Sequence, residues 1–209
     1  MIEIDFETAY IEFQSTPSFL GDILNHFFIE IHAVFIIFVS GVRLKSDVLR
    51  KMFVIDALLG NFDRHNGNWG FLVNDRTGEV SLAPVFDCGS CLLPQADENV
   101  MRRVLEDERE LDARIYTFPG SMLKVDGRKI NYAEYLASSA DVGLSAALAA
   151  MRPRIAALDI VKIVSNVSYL TDLQRQFYTI YLSARRDRLF GVHADDGEGK
   201  SSILKGKKE

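Results

Sequence analysis

The chain has 209 residues, of which 48% are apolar and 25% are charged, an ordinary globular composition. This composition excludes a disordered chain and a disulfide-stapled miniprotein. A net charge of −5 argues against direct binding to nucleic acid. We expect a cytoplasmic protein without a membrane span, because the N-terminus lacks an export signal and the longest apolar run, Ala33 to Val39, is too short to cross a bilayer.

The first element with a clear pattern is a helix over residues 46–59. Ser46 is a candidate N-cap, a largely apolar run follows, and Gly60 is a typical residue for the end of a helix. A polar loop and a hairpin come next, with predicted strands from Trp69 to Val73 and from Val80 to Ala83. Before residue 46, periodicity does not distinguish strand from helix.

The second half of the chain predicts helices. Residues 97–112 are highly charged and predict a solvated helix or a mobile loop. Asn131 is a candidate N-cap, and Pro153 suits the first turn of a helix that follows the Ala-rich stretch 144–150. Thr171 and Gln174 form a capping-box pattern. The apolar face of that last helix is predicted to contain Leu173, Phe177, Ile180, Tyr181 and Ala184.

Three oxygen-bearing side chains flank the predicted hairpin. Asp63 and Asn68 lie five residues apart in the loop before it, and Asp87 follows it in the pattern D-x-G. Phosphoryl transfer requires a carboxylate that orients the attacking hydroxyl and hard oxygen ligands that hold Mg²⁺ against the phosphates. D-x-x-x-x-N is the spacing of a kinase catalytic loop, and a later D-x-G supplies a second metal ligand. The order of helix, loop, hairpin and loop is more specific than either motif alone.

The segments GNFDRHNGNWGFL and LAPVFDCGSCL resemble the C-terminal lobe of HipA-type Ser/Thr kinases. A similar D-R-H-x-x-N also occurs in the more distantly related phosphatidylinositol kinases. The resemblance covers about residues 46–192 and implies a mainly α fold with a short β-hairpin, like the C-terminal lobe of a protein kinase. By this resemblance Asp63 is the catalytic base, Asn68 and Asp87 hold Mg²⁺ next to ATP, and His65 braces the loop.

The same resemblance implies a cellular setting. HipA-type kinases are the toxin halves of bacterial toxin–antitoxin pairs, so we expect a bacterial Ser/Thr kinase with a protein substrate. An antitoxin is a candidate partner. For His65 by itself, a structural hydrogen bond is favoured over proton transfer.

The parts of a kinase N-terminal lobe have no candidates in this sequence. Residues 1–44 contain no lysine, and no G-x-G-x-x-G occurs anywhere. We therefore predict that the N-lobe is missing or vestigial, with residues 1–45 as a remnant or docking segment, residues 46–192 as the kinase-like lobe and residues 193–209 as a disordered tail. Such a chain would be a weak or inactive kinase alone, and a separate N-lobe is a candidate partner. The alternative is a catalytically dead pseudokinase or a helical binding module.

Several other features have competing interpretations. Cys88 and Cys91 form a lone C-x-x-C, which as a zinc site would need His65 and His26 to complete four ligands, and as a redox pair lacks a thioredoxin-like context. Trp69 is predicted as a core residue behind the loop. The acidic run from Glu106 to Glu110 is predicted as a solvated face, and so is a cluster near the end of the last helix, Arg185, Arg186 and Arg188.

Overall fold

The computed structural model describes residues 45–192, apart from residues 66, 79, 126, 139 and 140. The predictions for the N-terminal segment, with its aromatic stretch from Phe27 to Val42, and for the tail at 193–209 lie outside the described residues. Within the described part, seven α-helices and two antiparallel two-stranded sheets confirm a mainly helical fold with little strand. No helix in this part of the chain has the length and apolar character that a membrane span requires.

Helix α1 (Lys45–Leu59) confirms the predicted helix and forms the centre of the core, but Ser46 lies inside it, so its prediction as the N-cap is wrong. It packs against α5 (Val142–Ala156) and α7 (Asp172–Phe190). Apolar side chains on every side of it are buried, as expected for a helix surrounded by protein. It ends at Gly60, whose φ of +67° lies in the left-handed region. A Cβ at this position would lie 2.6 Å from the hydroxyl oxygen of Tyr181, so only glycine fits.

The first hairpin is confirmed, with shorter strands than predicted. Strands β1 (Phe71–Val73) and β2 (Val80–Leu82) pair in antiparallel register. Trp69 precedes β1 and is only half-buried, with its ring 5.9 Å from that of Phe71. The prediction that Trp69 is a core residue is therefore wrong.

Residues 97–112 form two helices, α2 (Glu98–Glu106) and α3 (Glu108–Asp112), followed by a π-helical turn over Ala113–Thr117. The prediction of a solvated helix or loop is only partly right, because Met101, Val104 and Leu111 are buried in the core. The acidic run from Glu106 to Glu110 lies on the outer side and is largely exposed, as predicted.

A second hairpin was not predicted. Strands β3 (Lys124–Val125) and β4 (Arg128–Lys129) pair around Gly127, which has a φ of +78°. Helix α4 (Tyr132–Ala137) follows, and the Asn131 side chain caps it as predicted, by accepting a hydrogen bond from the N–H of Glu134.

The last three helices correct two predictions. Pro153 lies inside α5, which starts at its N-cap Asp141 and continues past the proline because Met151 and Ile155 on either side are buried. Helix α6 (Ile160–Ser165) connects it to α7, whose capping box of Thr171 and Gln174 is confirmed. Ile180 is 37% exposed, so its assignment to the apolar face of α7 is wrong. The buried side chains of α7 are those of Phe177, Tyr178, Tyr181, Leu182, Arg185 and Phe190.

Arg185 is fully buried, so the prediction that it faces water is wrong. Its guanidinium donates hydrogen bonds to the carbonyls of Ala57 and Leu58 at the end of α1 and to the carbonyl of Arg114. The carbonyls of Ala57 and Leu58 lie in the last turn of α1, where no helical N–H reaches them, and the arginine supplies their hydrogen-bond donor. The other two arginines of the cluster are partly exposed and pair with nearby carboxylates, those of Asp187 and Asp112.

Candidate active site

The loop between α1 and β1 is folded back on itself by its own hydrogen bonds. The N–H of Asp63 donates to Oδ1 of Asn61 at 3.1 Å, and Nδ2 of Asn68 donates to the carbonyl of Asp63 at 2.9 Å. The N–H of Asn68 donates to the carbonyl of His65 at 3.0 Å. The structure therefore brings the predicted catalytic base and the first predicted metal ligand next to each other.

A buried ion pair lies beneath this loop. Nε and Nη2 of Arg64 donate to the two carboxylate oxygens of Asp56 at 3.0 and 3.1 Å, and the Asn61 amide donates to the same carboxylate at 2.9 Å. Burial raises the pKa of Asp56, and both Arg64 and Asn61 oppose this rise. Burial alone would lower the pKa of Arg64, but the Asp56 carboxylate outweighs it and the pKa is raised. The paired charges fix the guanidinium in one position.

Arg64 also joins the two loops that carry the candidate site. Its Nη1 donates to the carbonyl of Asn68 at 2.7 Å and to the carbonyl of Phe86 at 2.6 Å. Phe86 immediately precedes Asp87, so one guanidinium holds the backbone of both predicted metal-binding segments. Neither Asp56 nor Arg64 is among the site residues predicted from the sequence. The available signal was a single acidic residue in the otherwise apolar second half of α1, followed by an arginine inside the motif.

The three acidic residues of this region have different surroundings. Both carboxylate oxygens of Asp56 accept hydrogen bonds from Arg64 or Asn61. In contrast, no described side chain pairs with the carboxylate of Asp63 or of Asp87. Asp63 is half-buried, and Asp87 is exposed with a φ of +53°, a backbone conformation uncommon outside glycine. Asn68 is only 3% exposed and its amide nitrogen is engaged by the Asp63 carbonyl, so a cation at this position would meet the amide oxygen.

These groups suit a hard cation better than a soft one. The amide oxygen of Asn68 and the carboxylate of Asp87 are the ligand types that Mg²⁺ prefers, and Mg²⁺ usually takes its remaining ligands from phosphates and water. Among the described residues, no group of three or more His, Cys, Asp or Glu side chains is placed to hold a metal ion. A fully protein-built zinc site is therefore absent from this part of the chain, and His26, a candidate zinc ligand, lies outside the described residues.

Local contacts and burial account for the positions of His65 and of the two cysteines. His65 is exposed, and its Nδ1 accepts a hydrogen bond from the N–H of Gly67 at 3.0 Å, within the same loop. Cys88 and Cys91 are free and buried. A hydrogen bond from Cys91 lowers the pKa of the Cys88 thiol, and Arg64, 3.4 Å from its sulfur, acts in the same direction. Burial raises the pKa of Cys91 well above its usual value.

Comparisons with known proteins show a kinase relative. No family model matches the chain. Over 142 residues it is 46% identical to the serine/threonine-protein kinase CtkA of Helicobacter pylori strain J99. The chain is homologous to this kinase. The match covers 68% of the chain and 44% of CtkA, so the chain spans less than half the length of its curated relative.

A crystal structure of the proinflammatory kinase CtkA of Helicobacter pylori superimposes on 70% of the chain with a TM-score of 0.65 and 43% identity, covering 50% of that protein. The mainly helical fold is thus similar to part of a kinase structure.

Proposed function

We propose that this chain carries the catalytic loop and the metal-binding loop of an atypical Ser/Thr protein kinase of the HipA type. It would transfer the γ-phosphoryl group of ATP to a hydroxyl of a protein substrate. The observation that carries the proposal is the contact of Arg64 with both loops, combined with two carboxylates, Asp63 and Asp87, that no described side chain neutralises. Homology to CtkA supports the assignment.

Each residue has a role that its position supports. The Asp63 carboxylate orients the attacking hydroxyl and accepts its proton. Asn68 and Asp87 hold the metal ion, and Arg64 fixes the separation of their loops. Bound Mg²⁺ supplies neutralisation of the phosphate charge. His65 keeps the loop in shape through its contact with Gly67.

We further propose that the chain alone is a weak or inactive kinase, that it acts in a bacterial cytoplasm, and that a separate N-lobe or an antitoxin is its partner. The absence of lysine from residues 1–44 supports the first point, because a kinase uses a lysine and a glycine-rich loop to position the phosphates. We expect phosphate incorporation into a serine peptide no higher than that of Asp63→Asn. Incorporation well above that background would contradict the weak-activity proposal.

Titration calorimetry with ATP, with and without Mg²⁺, tests the proposed site. The variants are Asp87→Ala and, as a matched control, Asp75→Ala, which removes an exposed carboxylate in the turn of the first hairpin. We expect Mg²⁺-dependent binding to the wild type and to Asp75→Ala, and its loss in Asp87→Ala. Binding that is equal in all three, or absent at millimolar ATP, would favour the helical binding module instead.

A further inference from the structure

One exposed surface next to the candidate site has no role in the proposed chemistry. We call it the hairpin surface and define it by Tyr116, Phe118, Lys124, Val125, Arg128 and Lys129. Tyr116, Phe118 and Val125 are 44%, 39% and 43% exposed, and they are three of the seven large apolar side chains exposed in the described part of the chain. These three side chains fall within one short stretch of the chain, residues 116–125, and exposed apolar groups edged by polar ones are typical of interaction sites.

The polar rim of the hairpin surface is basic. Lys124, Arg128 and Lys129 are exposed, and none of them forms an ion pair with a described residue. The chain as a whole has a net charge of −5, so this concentration of cations is opposite to the average charge. Charged rims of this kind steer a partner of the opposite sign and set its orientation.

Direct contacts connect this surface to the catalytic loop. The ring of Phe118 lies 5.5 Å from that of Phe62, which is the residue before Asp63. The Asn131 amide donates to the carbonyl of Tyr116 at 2.7 Å, and the Tyr132 hydroxyl donates to the carbonyl of Asn61 at 2.6 Å. Asn131 also lines an open groove of about 260 Å³ between the second hairpin and α4, together with Val125, Arg128, Lys129 and Tyr135. The exposed carboxylate of Glu134 on α4 lines it as well, so the basic groups are concentrated on the hairpin side.

We propose that the hairpin surface docks the protein substrate of this kinase and selects an acidic segment next to the hydroxyl that is phosphorylated. This inference rests on the proposed function. The cations attract carboxylates, the exposed apolar side chains accept apolar residues among them, and the contact between Phe118 and Phe62 places the docked segment beside Asp63. The mixture of apolar and basic groups favours a peptide over a nucleic acid, whose binding rests mainly on phosphate charge.

Fluorescence polarisation with two labelled peptides tests the docking. Both contain a serine, flanked by glutamates in one peptide and by lysines in the other. The test variant reverses the surface charge with Lys124→Glu, Arg128→Glu and Lys129→Glu. A matched control reverses three exposed cations elsewhere, with Arg109→Glu, Arg152→Glu and Lys162→Glu. We expect the acidic peptide to bind the wild type and the control about tenfold or more tightly than the hairpin variant, and to weaken with added salt.

Three results would overturn the docking inference. They are an unchanged affinity in the hairpin variant, an equal loss in the control variant, and tighter binding of a single-stranded oligonucleotide than of the acidic peptide. The measurement needs no nucleotide, so it separates two failures. Mg²⁺-dependent ATP binding without acidic-peptide preference would refute only the docking surface. Acidic-peptide binding that is lost in the hairpin variant, without ATP binding to the wild type, would support a peptide-binding surface and refute the kinase function.

Discussion

Replacing Arg64 with methionine is expected to destabilise the protein and to separate the two loops of the candidate site. The substitution leaves Asp56, which is 2% exposed, as a buried carboxylate with only the Asn61 amide as a partner. It also removes the donor shared by the carbonyls of Asn68 and Phe86. Breaking a buried ion pair by removing one partner costs about 3–5 kcal/mol. Since domains of this size are stable by about 5–15 kcal/mol, the variant should fold with a much reduced free energy of unfolding.

The loss of unfolding free energy in Arg64→Met depends on pH, and the pKa of Asp56 decides in which direction. Burial raises the folded-state pKa of Asp56 above 3.8 and Arg64 opposes the rise, so the pKa rises further without Arg64. A carboxyl group with a raised folded pKa contributes stability below its unfolded pKa and loses it as the pH rises through the folded pKa. The deficit of Arg64→Met should therefore be smaller at about pH 4 than at about pH 8, by about 1.4 kcal/mol per added pKa unit.

Urea unfolding followed by circular dichroism measures both quantities. The double variant Arg64→Met with Asp56→Leu serves as the control, because an apolar pair restores much of the stability that a lone buried charge removes. We expect the double variant to be more stable than Arg64→Met and still to lack Mg²⁺-dependent ATP binding. A deficit below about 1 kcal/mol that does not vary with pH, or simple additivity of the two substitutions, would show that the ion pair of Arg64 and Asp56 does not stabilise the fold.

Three further stability changes are expected, each measured by urea unfolding against the wild type. Gly60→Ala should cost about 1–3 kcal/mol, because the new Cβ meets the Tyr181 hydroxyl and the backbone is left-handed; an unchanged midpoint would contradict this. Arg185→Lys should cost about 3 kcal/mol, because an ammonium lacks the planar fork that reaches three carbonyls; a cost within error would show those contacts to be unimportant. Thr171→Ala should cost about 1 kcal/mol and Thr171→Ser much less, whereas equal losses would argue against the cap.

The features that could be predicted from the sequence are those fixed by neighbouring residues. Helix α1 and its end at Gly60, the first hairpin, and the caps at Asn131 and Thr171 all depend on contacts within a few positions. The second hairpin had a usable signal, the dipeptide of residues 126–127, but only two residues pair on each side.

The errors come from contacts between distant residues. Arg185 appeared solvent-facing by its place near a helix end, but its partner Ala57 lies 128 positions away. Pro153 matched a helix start by local preference, yet burial of its neighbours keeps α5 continuous. For the candidate site, the spacing D-x-x-x-x-N places Asp63 and Asn68 in one loop, whereas the link between this loop and the segment of Asp87 depends on the hydrogen bond of Arg64 to Phe86, 22 positions away.

The most direct test of the central claim is the position of a bound metal ion in a crystal of the protein grown with Mn²⁺ and a non-hydrolysable ATP analogue. Mn²⁺ replaces Mg²⁺ at oxygen sites and is located by its anomalous scattering. We predict one anomalous peak within about 2.2 Å of both Oδ1 of Asn68 and the carboxylate of Asp87, with Arg64 still bonded to the carbonyls of both loops. Bound nucleotide with the metal away from these two residues would contradict the account.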